Sequence, residues 1–214
     1  MKPLIVSYYT KNTLYEKDAA RLRRSCEQFG LPFQIEGIEP FGKWHEHVCH
    51  KPLFILKKLK ELKRPLFWID ADGEIVEKLP DPDFNCDISL RTFNHFPQDH
   101  PCHLYAATAY IDYSPKSLSL IDAWSEGCQE KLRSEPELEV SDQVILNALL
   151  QTGKVHFKPL PPAYAALFDE ELPLKYIVQH QASRLYRKII NQELAFGIFD
   201  HLSLEQLDQL KPRL

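Results

Sequence analysis

Between Pro65 and Leu79 an apolar run breaks off abruptly into Asp70-Ala71-Asp72. Side chains alternate across a strand, so carboxylates at i and i+2 at the mouth of a buried strand are expected to point the same way. Two like charges at a dry strand end cost free energy unless a cation lies between them, and oxygen-only donors suit a hard divalent ion such as Mn²⁺ or Mg²⁺. Such an ion commonly has phosphate oxygens on its far side, which makes a diphosphate-containing ligand the leading expectation. The competing reading is plain turn chemistry, because Asp72-Gly73 ends a strand without needing any ligand.

A second dense cluster, Trp44-His45-Glu46-His47-Val48-Cys49-His50, offers several zinc-type donors within a few residues. It lacks the separated second pair of a tetrahedral site, and its histidine spacing comes without the glutamate placement of helical zinc hydrolases. A loop beside the ligand site, or the entry to the following helix, is the better reading. His95, His100, Cys102 and His103 are also close in sequence, but Pro97 and Pro101 mark an exposed loop on the acceptor side.

The elements that must position these residues alternate. Pro3 to Tyr9 is a β-branched and aromatic strand leading into the loop Thr10-Lys11-Asn12. Thr13, with Glu16 three residues on, predicts a capping box for a helix that Gly30 stops. Phe33 to Ile38 is a second strand, Lys51 to Lys63 a helix with Pro52 in its first turn, and Leu66 to Asp70 a third strand. This order describes a doubly wound α/β unit, in which ligands bind beyond the carboxyl ends of parallel strands.

Downstream, Asp87 to Thr92 and Leu104 to Asp112 read as strands, and Ser114-Pro115 starts a helix to about Leu132. Ser141 caps another helix that ends at Gly153. Val155 to Leu160 and Lys175 to Gln179 are short strands, His180 to Gln192 runs from loop into helix, and Ser203 with Gln206 caps a last one. The expectation is one domain over 1–214, with a nucleotide-binding half to about residue 80, a mixed-sheet acceptor half over about 81–200, and a terminal helix over 201–214.

Composition agrees with an ordinary globular chain: 214 residues, 44% hydrophobic and 26% charged. A net charge of −4 and a pI near 6.1 argue against a nucleic-acid partner, which needs a clustered basic excess. No apolar stretch nears the roughly 18 residues of a membrane span, and the start does not resemble a signal peptide. Five scattered cysteines without paired spacing predict reduced thiols and a cytoplasmic location.

Trp68-Ile69-Asp70-Ala71-Asp72, preceded by the Lys51-Pro52 helix, resembles the DxD region of GT-A-fold glycosyltransferases, small nucleotide-diphospho-sugar transferases. Ser7-Tyr8-Tyr9-Thr10 after the first strand, Ser141-Asp142-Gln143 at a late helix, and His180 within Val178 to Arg184 sit where those enzymes place theirs. The resemblance implies a divalent cation on Asp72, with Asp70 sharing it or taking ribose hydroxyls and His180 as a third ligand. It implies a nucleotide-sugar donor, with UDP-sugars foremost, and an unidentified acceptor. Tyr8 and Thr10 would border the base, Lys11, Lys51 and Arg184 would complete donor binding, and Asp142, assisted by Gln143, would meet sugar hydroxyls or act as a base.

Two rivals share these residues. Asp70-Ala71-Asp72-Gly73 also resembles the nucleophile loop of haloacid-dehalogenase-type phosphohydrolases, with Asp70 attacking phosphorus. Against it, Glu74 holds the position of a hydroxyl residue, and the loop follows two βα units instead of opening the chain. The third reading is a non-catalytic sugar-nucleotide-binding protein.

Overall fold

The first strand, β1 (Leu4–Thr10), sets the two-sided plan of the molecule. Its Leu4 and Val6 enter one core and its Ile5 the other, as strand alternation requires. The structure is a computed structural model and describes residues 2–80, 84–100, 102–135 and 141–181. After β1 come α1 (Tyr15–Gln28), β2 (Phe33–Ile38), α2 (Trp44–Leu62), β3 (Leu66–Ile69) and β4 (Gly73–Ile75). Then follow β5 (Ile88–Thr92), β6 (Leu104–Ile111), α3 (Pro115–Ser134), α4 (Asp142–Leu150), β7 (Phe157–Pro159), β8 (Ala166–Leu167) and β9 (Ile177–Gln179).

Six strands form one sheet in the order β2-β1-β3-β6-β5-β7. β1 runs parallel to β2 and β3, β6 is antiparallel to both β3 and β5, and β7 is parallel to β5. The expected parallel βαβαβ half and mixed second half therefore meet in a single sheet across β3 and β6. A small sheet, β4-β9-β8, takes the chain out of the main sheet just past the aspartates.

Helices α2, α3 and α4 cover one face, where Ile55, Leu59, Ile121, Trp124 and Leu146 are buried against Leu66 and Trp68. Helix α1 and the small sheet cover the other, through Ala19, Leu22, Cys26, Ile75 and Ile177 against Phe67 and Ile69. Burying each large apolar side chain is worth about 1.5–3 kcal/mol, so these two layers fix where the ends of β1 and β3 lie.

Several boundaries differ from the sequence reading. Thr13 is not the cap of α1: its hydroxyl donates to the Thr10 carbonyl at 2.7 Å, and the helix begins at Tyr15 behind Leu14. Glu16 does reach back, accepting from the Asn12 amide at 3.1 Å. Helix α2 starts at Trp44, seven residues before the expected Lys51, where the Glu46 carboxylate accepts from the Lys43 amide and satisfies that donor. Pro52 is therefore inside the helix, where its missing N–H removes one backbone bond. Ser141 precedes α4 without a side-chain capping bond. Of the segment from His180 onward only His180 and Gln181 are described; the helices expected beyond them, including 201–214, lie outside the described residues.

Candidate active site

Asp70 and Asp72 reach one place by a turn and not by a longer strand. β3 ends at Ile69, and the Gly73 amide donates to the Asp70 carbonyl at 2.8 Å, closing a tight turn over the two aspartates. A Cβ on Gly73 would lie 2.4 Å from the Ile69 side chain, so only glycine fits this close approach. The segment is an Asp-Gly turn, and it carries two carboxylates to the rim of a cavity of about 340 Å³.

That cavity lies beyond the carboxyl ends of β1 and β3, and Tyr8, Thr10, Lys51, Asp70, Asp72, Asp142 and Gln143 all line it. They come from four separate stretches: the end of β1, the middle of α2, the turn after β3, and the start of α4. Strand β6 is shaped around the same space. Leu90 pairs with Ala109 but Arg91 with Tyr105, so Ala106, Ala107 and Thr108 bulge away from β5. Their freed carbonyls fix the site: Ala107 accepts from the Asp70 amide at 2.8 Å, and Ala106 from the Lys51 ammonium at 3.3 Å.

Lys51 is the electrostatic centre. Its ammonium stands 3.0 Å from Asp70 Oδ1 and 3.3 Å from Asp142 Oδ2, with side-chain exposures of 8%, 30% and 5% for the lysine and the two aspartates. Burial alone would lower this lysine, but Asp142 and Asp70 hold it above its usual value. Its hydrogen bond to the backbone goes to the Ala106 carbonyl, and the two aspartates meet it as ion pairs. The sequence reading gave Lys51 to the donor; here it is an internal counter-ion for two carboxylates.

The Trp68 indole also donates to Asp70 Oδ1, at 2.7 Å. Even so, burial pushes the Asp70 carboxyl up to about 6; Lys51 opposes this, and the neighbouring Asp72 and Asp142 add to it. Burial and the same carboxylates hold the phenols of Tyr8, Tyr15 and Tyr105 well above their usual range, so all three remain neutral. Asp142 is anchored from behind, its carbonyl accepting from the Trp124 indole at 2.8 Å.

With Asp70 and Asp142 beside Lys51 and Asp72 lining the same cavity, the wall is acidic, and Asp70 is the partly exposed one of the pair at Lys51. Asp70 and Asp72 supply hard oxygen donors that fit a Mg²⁺ or Mn²⁺ ion completed by ligand phosphates, the usual composition for such ions. Among the described residues no group of three or more His, Cys, Asp and Glu side chains is arranged to hold a metal. The third ligand expected of His180 is accordingly not in place: its Nε2 lies 2.9 Å from Glu74 Oε2, and its amide donates to the Asp72 carbonyl at 3.2 Å. It braces the turn by bridging β9 to β4. Lys11 is also elsewhere, paired with Glu39 at 2.7 Å on the surface, because the turn after β1 points it toward β2. Arg184 lies outside the described residues.

Sequence reasoning missed Tyr15, Tyr105 and Gln181, which line the cavity together with Tyr9, Trp44 and His47 from segments it had set beside the site. Trp44 and His47 belong to the cluster weighed for zinc; it forms the first turns of α2, with His45, His47 and Cys49 buried and His50 against the Tyr8 ring at 5.5 Å. Tyr105 gave no signal, because a multi-residue bulge is not visible in strand periodicity. Gln181 holds a left-handed backbone, φ 53°, unusual for a residue other than glycine.

No protein-family profile and no curated protein sequence matches the chain. Its structure superposes on a crystal structure of a glycosyltransferase involved in the glycosylation of the major capsid of PBCV-1, with a TM-score of 0.65. Identity is 13%, and the match covers 100% of this chain and 100% of that one. The fold is GT-A-like. Within this GT-A-like fold the cavity sits where the parallel strands give way to the antiparallel β6, a switch point of the kind where α/β sheets place ligands. No helix among the described residues is long and apolar enough to cross a membrane, and the five cysteines are free.

Proposed function

We propose that the protein is a divalent-cation-dependent glycosyltransferase that moves a sugar from a nucleoside-diphosphate sugar to an unidentified acceptor. The observation that carries this reading is the convergence of Asp70, Asp72 and Asp142 on one cavity at the ends of β1 and β3, with the Lys51 ammonium set between Asp70 and Asp142. An anionic diphosphate meets such a wall favourably only through a cation of its own.

Asp70 and Asp72 are the residues that would hold Mn²⁺ or Mg²⁺, which when bound would offset the charge growing on the departing diphosphate. In the transfer the bond from the anomeric carbon to the diphosphate oxygen breaks, and a bond to the acceptor atom forms. The acceptor loses its proton, and the nucleoside diphosphate leaves. Asp142, buried beside Lys51 and lining the cavity with Gln143, would accept hydrogen bonds from sugar hydroxyls or the acceptor proton. UDP-sugars are the first donors to test. The phosphohydrolase reading is less consistent with this geometry, since Oδ1 of its would-be nucleophile, Asp70, already accepts from Trp68 and Lys51.

The test is nucleotide release and binding. Incubated with Mn²⁺ and a panel of sugar nucleotides, the protein should release a nucleoside diphosphate slowly without acceptor and faster with one. Asp72→Asn should lose both cation-dependent nucleotide binding and release. Binding without any turnover would favour a non-catalytic sugar-nucleotide binder; hydrolysis of a generic aryl phosphate that disappears in Asp70→Asn would favour a phosphohydrolase.

A further inference from the structure

Helix α1 reaches the aspartate turn from outside the cavity. Asp18, Arg21 and Ser25, spaced at i, i+3 and i+7, share one helix face, and all three are buried. Ser25 Oγ accepts from the Ile75 amide at 3.1 Å, which docks that face on β4. One turn earlier the Arg21 guanidinium lies behind the aspartates: its Nη2 donates to Asp18 Oδ1 at 2.8 Å and to the Asp72 carbonyl at 3.4 Å. Its Nε stands 3.7 Å from Glu74 Oε2, the atom that also meets the His180 ring at 2.9 Å.

These contacts pin one peptide unit at both ends. The Gly73 amide donates to the Asp70 carbonyl at 2.8 Å, while the Asp72 carbonyl of the same unit accepts from Arg21 and, at 3.2 Å, from the His180 amide. A planar peptide held at its N–H and at its C=O fixes the backbone on either side, and with it the direction of the Asp72 side chain. The Asp72 carboxylate lines the cavity, whereas Asp18 and Arg21 do not. They act on the site only through the backbone.

The pair is poorly explained by stability alone. With side chains 9% and 1% exposed, Arg21 and Asp18 form a buried ion pair, and such pairs gain little over apolar residues of the same volume. What an apolar pair lacks is a donor for the Asp72 carbonyl. We propose that Arg21, held by Asp18, is a positioning residue that fixes the Asp72–Gly73 peptide and so sets the direction from which Asp72 meets a divalent cation. This rests on the cation reading of Asp70 and Asp72 and adds to it a selection between ions. Mg²⁺ demands near-ideal octahedral geometry, whereas Ca²⁺ accepts longer and less regular contacts, so a carboxylate that loses its aim loses the smaller ion first.

Mn²⁺ binding, followed by EPR with UDP, CDP, ADP and GDP in turn, defines the site; with the nucleotide that gives the tightest binding, Mn²⁺ is then displaced by Mg²⁺ or by Ca²⁺. Asp18→Leu combined with Arg21→Met removes both charges and keeps most of the volume, so its Tm should lie above that of Arg21→Met alone, which leaves the buried Asp18 charge without its guanidinium. In the double variant the Mg²⁺ needed for displacement should rise about tenfold and the Ca²⁺ by less than about threefold, the scale on which residues behind a metal ligand act. Arg21→Lys, which keeps the charge and exchanges the planar fork for a point donor, should shift the ratio the same way by less. A merely structural role would weaken both ions by one factor and would let binding recover with Tm in the double variant. That result, or a wild-type ratio in Arg21→Lys and in any folded double variant, overturns the positioning role and leaves the cation reading standing. Failure of wild type to bind Mn²⁺ with any of the four nucleotides overturns both.

Discussion

Replacing Lys51 by methionine removes the ammonium that stands between Asp70 and Asp142 and keeps most of the side-chain volume. The 3.3 Å contact joins Lys51 and Asp142, only 8% and 5% exposed, so solvent screens it poorly, while the 3.0 Å contact reaches Asp70 at 30% exposure and is screened in part. Breaking a buried pair by deleting one partner typically costs about 3–5 kcal/mol, because the remaining charge stays buried. Against a total of about 5–15 kcal/mol for a domain, that is a large share. For a chain of this size each kcal/mol moves Tm by about 2–4 °C, so Lys51→Met should lower Tm by roughly 6–20 °C.

The loss should also depend on pH. An aspartate whose folded pKa lies above its unfolded value destabilises the fold as pH rises, since the unfolded chain gives up its proton first. In the wild-type protein the Asp70 carboxyl is already up at about 6, against about 3.9 for an unfolded aspartate, so stability falls as pH rises across that window. Without Lys51 the carboxyl rises further, so the variant's deficit should be largest above neutrality and shrink as the pH is lowered through 6. Thermal and urea denaturation between pH 5 and 8 measure this, and Lys51→Met combined with Asp142→Asn should recover part of the loss. A deficit under about 1 kcal/mol, the value of a screened surface pair, and constant with pH, would refute the reasoning.

Three further outcomes follow from the same geometry. Mn²⁺ binding must displace the Asp70 proton, so affinity should rise as pH increases toward 6 and level off above it, as calorimetry across that range would register. Trp68→Phe removes the indole N–H donated to Asp70 at 2.7 Å, which should raise that carboxyl and move the Mn²⁺ binding midpoint up by about one pH unit; an unchanged midpoint would mean the bond does not tune the site. Gly73→Ala would drive a methyl to 2.4 Å from Ile69 and should cost about 1–3 kcal/mol in denaturant unfolding while weakening cation binding, because the turn that aims both aspartates must open.

How much of this was legible beforehand depended on how local the signal was. The DAD turn, the Ser141-Asp142-Gln143 helix start and the strand alternation of β1 and β3 depend on neighbours within a few residues, and the structure brings Asp70, Asp72, Asp142 and Gln143 to one cavity. The role of Lys51 was not legible, because its partners lie 19 and 91 positions away and only the crossing of α2 over β3 and α4 sets them against it. His180 was misread for a similar reason: it reaches the aspartate turn, but β9 pairs beside β4, which turns its ring to Glu74. The early start of α2 was hidden because Lys43 is not a residue type that announces a cap, although Glu46 three residues later accepts from its amide.

The placement of Lys51 couples folding to ligand binding at this site. A scaffold with three carboxylates in one cavity and no internal cation would be hard to fold; one with enough internal cations to neutralise them would have no use for a divalent ion. The Lys51 ammonium, paired with Asp70 and Asp142 and bonded to the Ala106 carbonyl, stabilises the ligand-free fold while burial keeps Asp70 unfavourable to ionise. A cation that binds at Asp70 and Asp72 relieves that cost, so its binding free energy contains a stabilisation of the fold itself. It follows that Mn²⁺ should raise Tm more in Lys51→Met than in the wild-type protein, because the variant has more repulsion to relieve. Equal shifts in the two would mean that the ammonium and the divalent ion act on separate charges, and the shared role of Asp70 would be wrong.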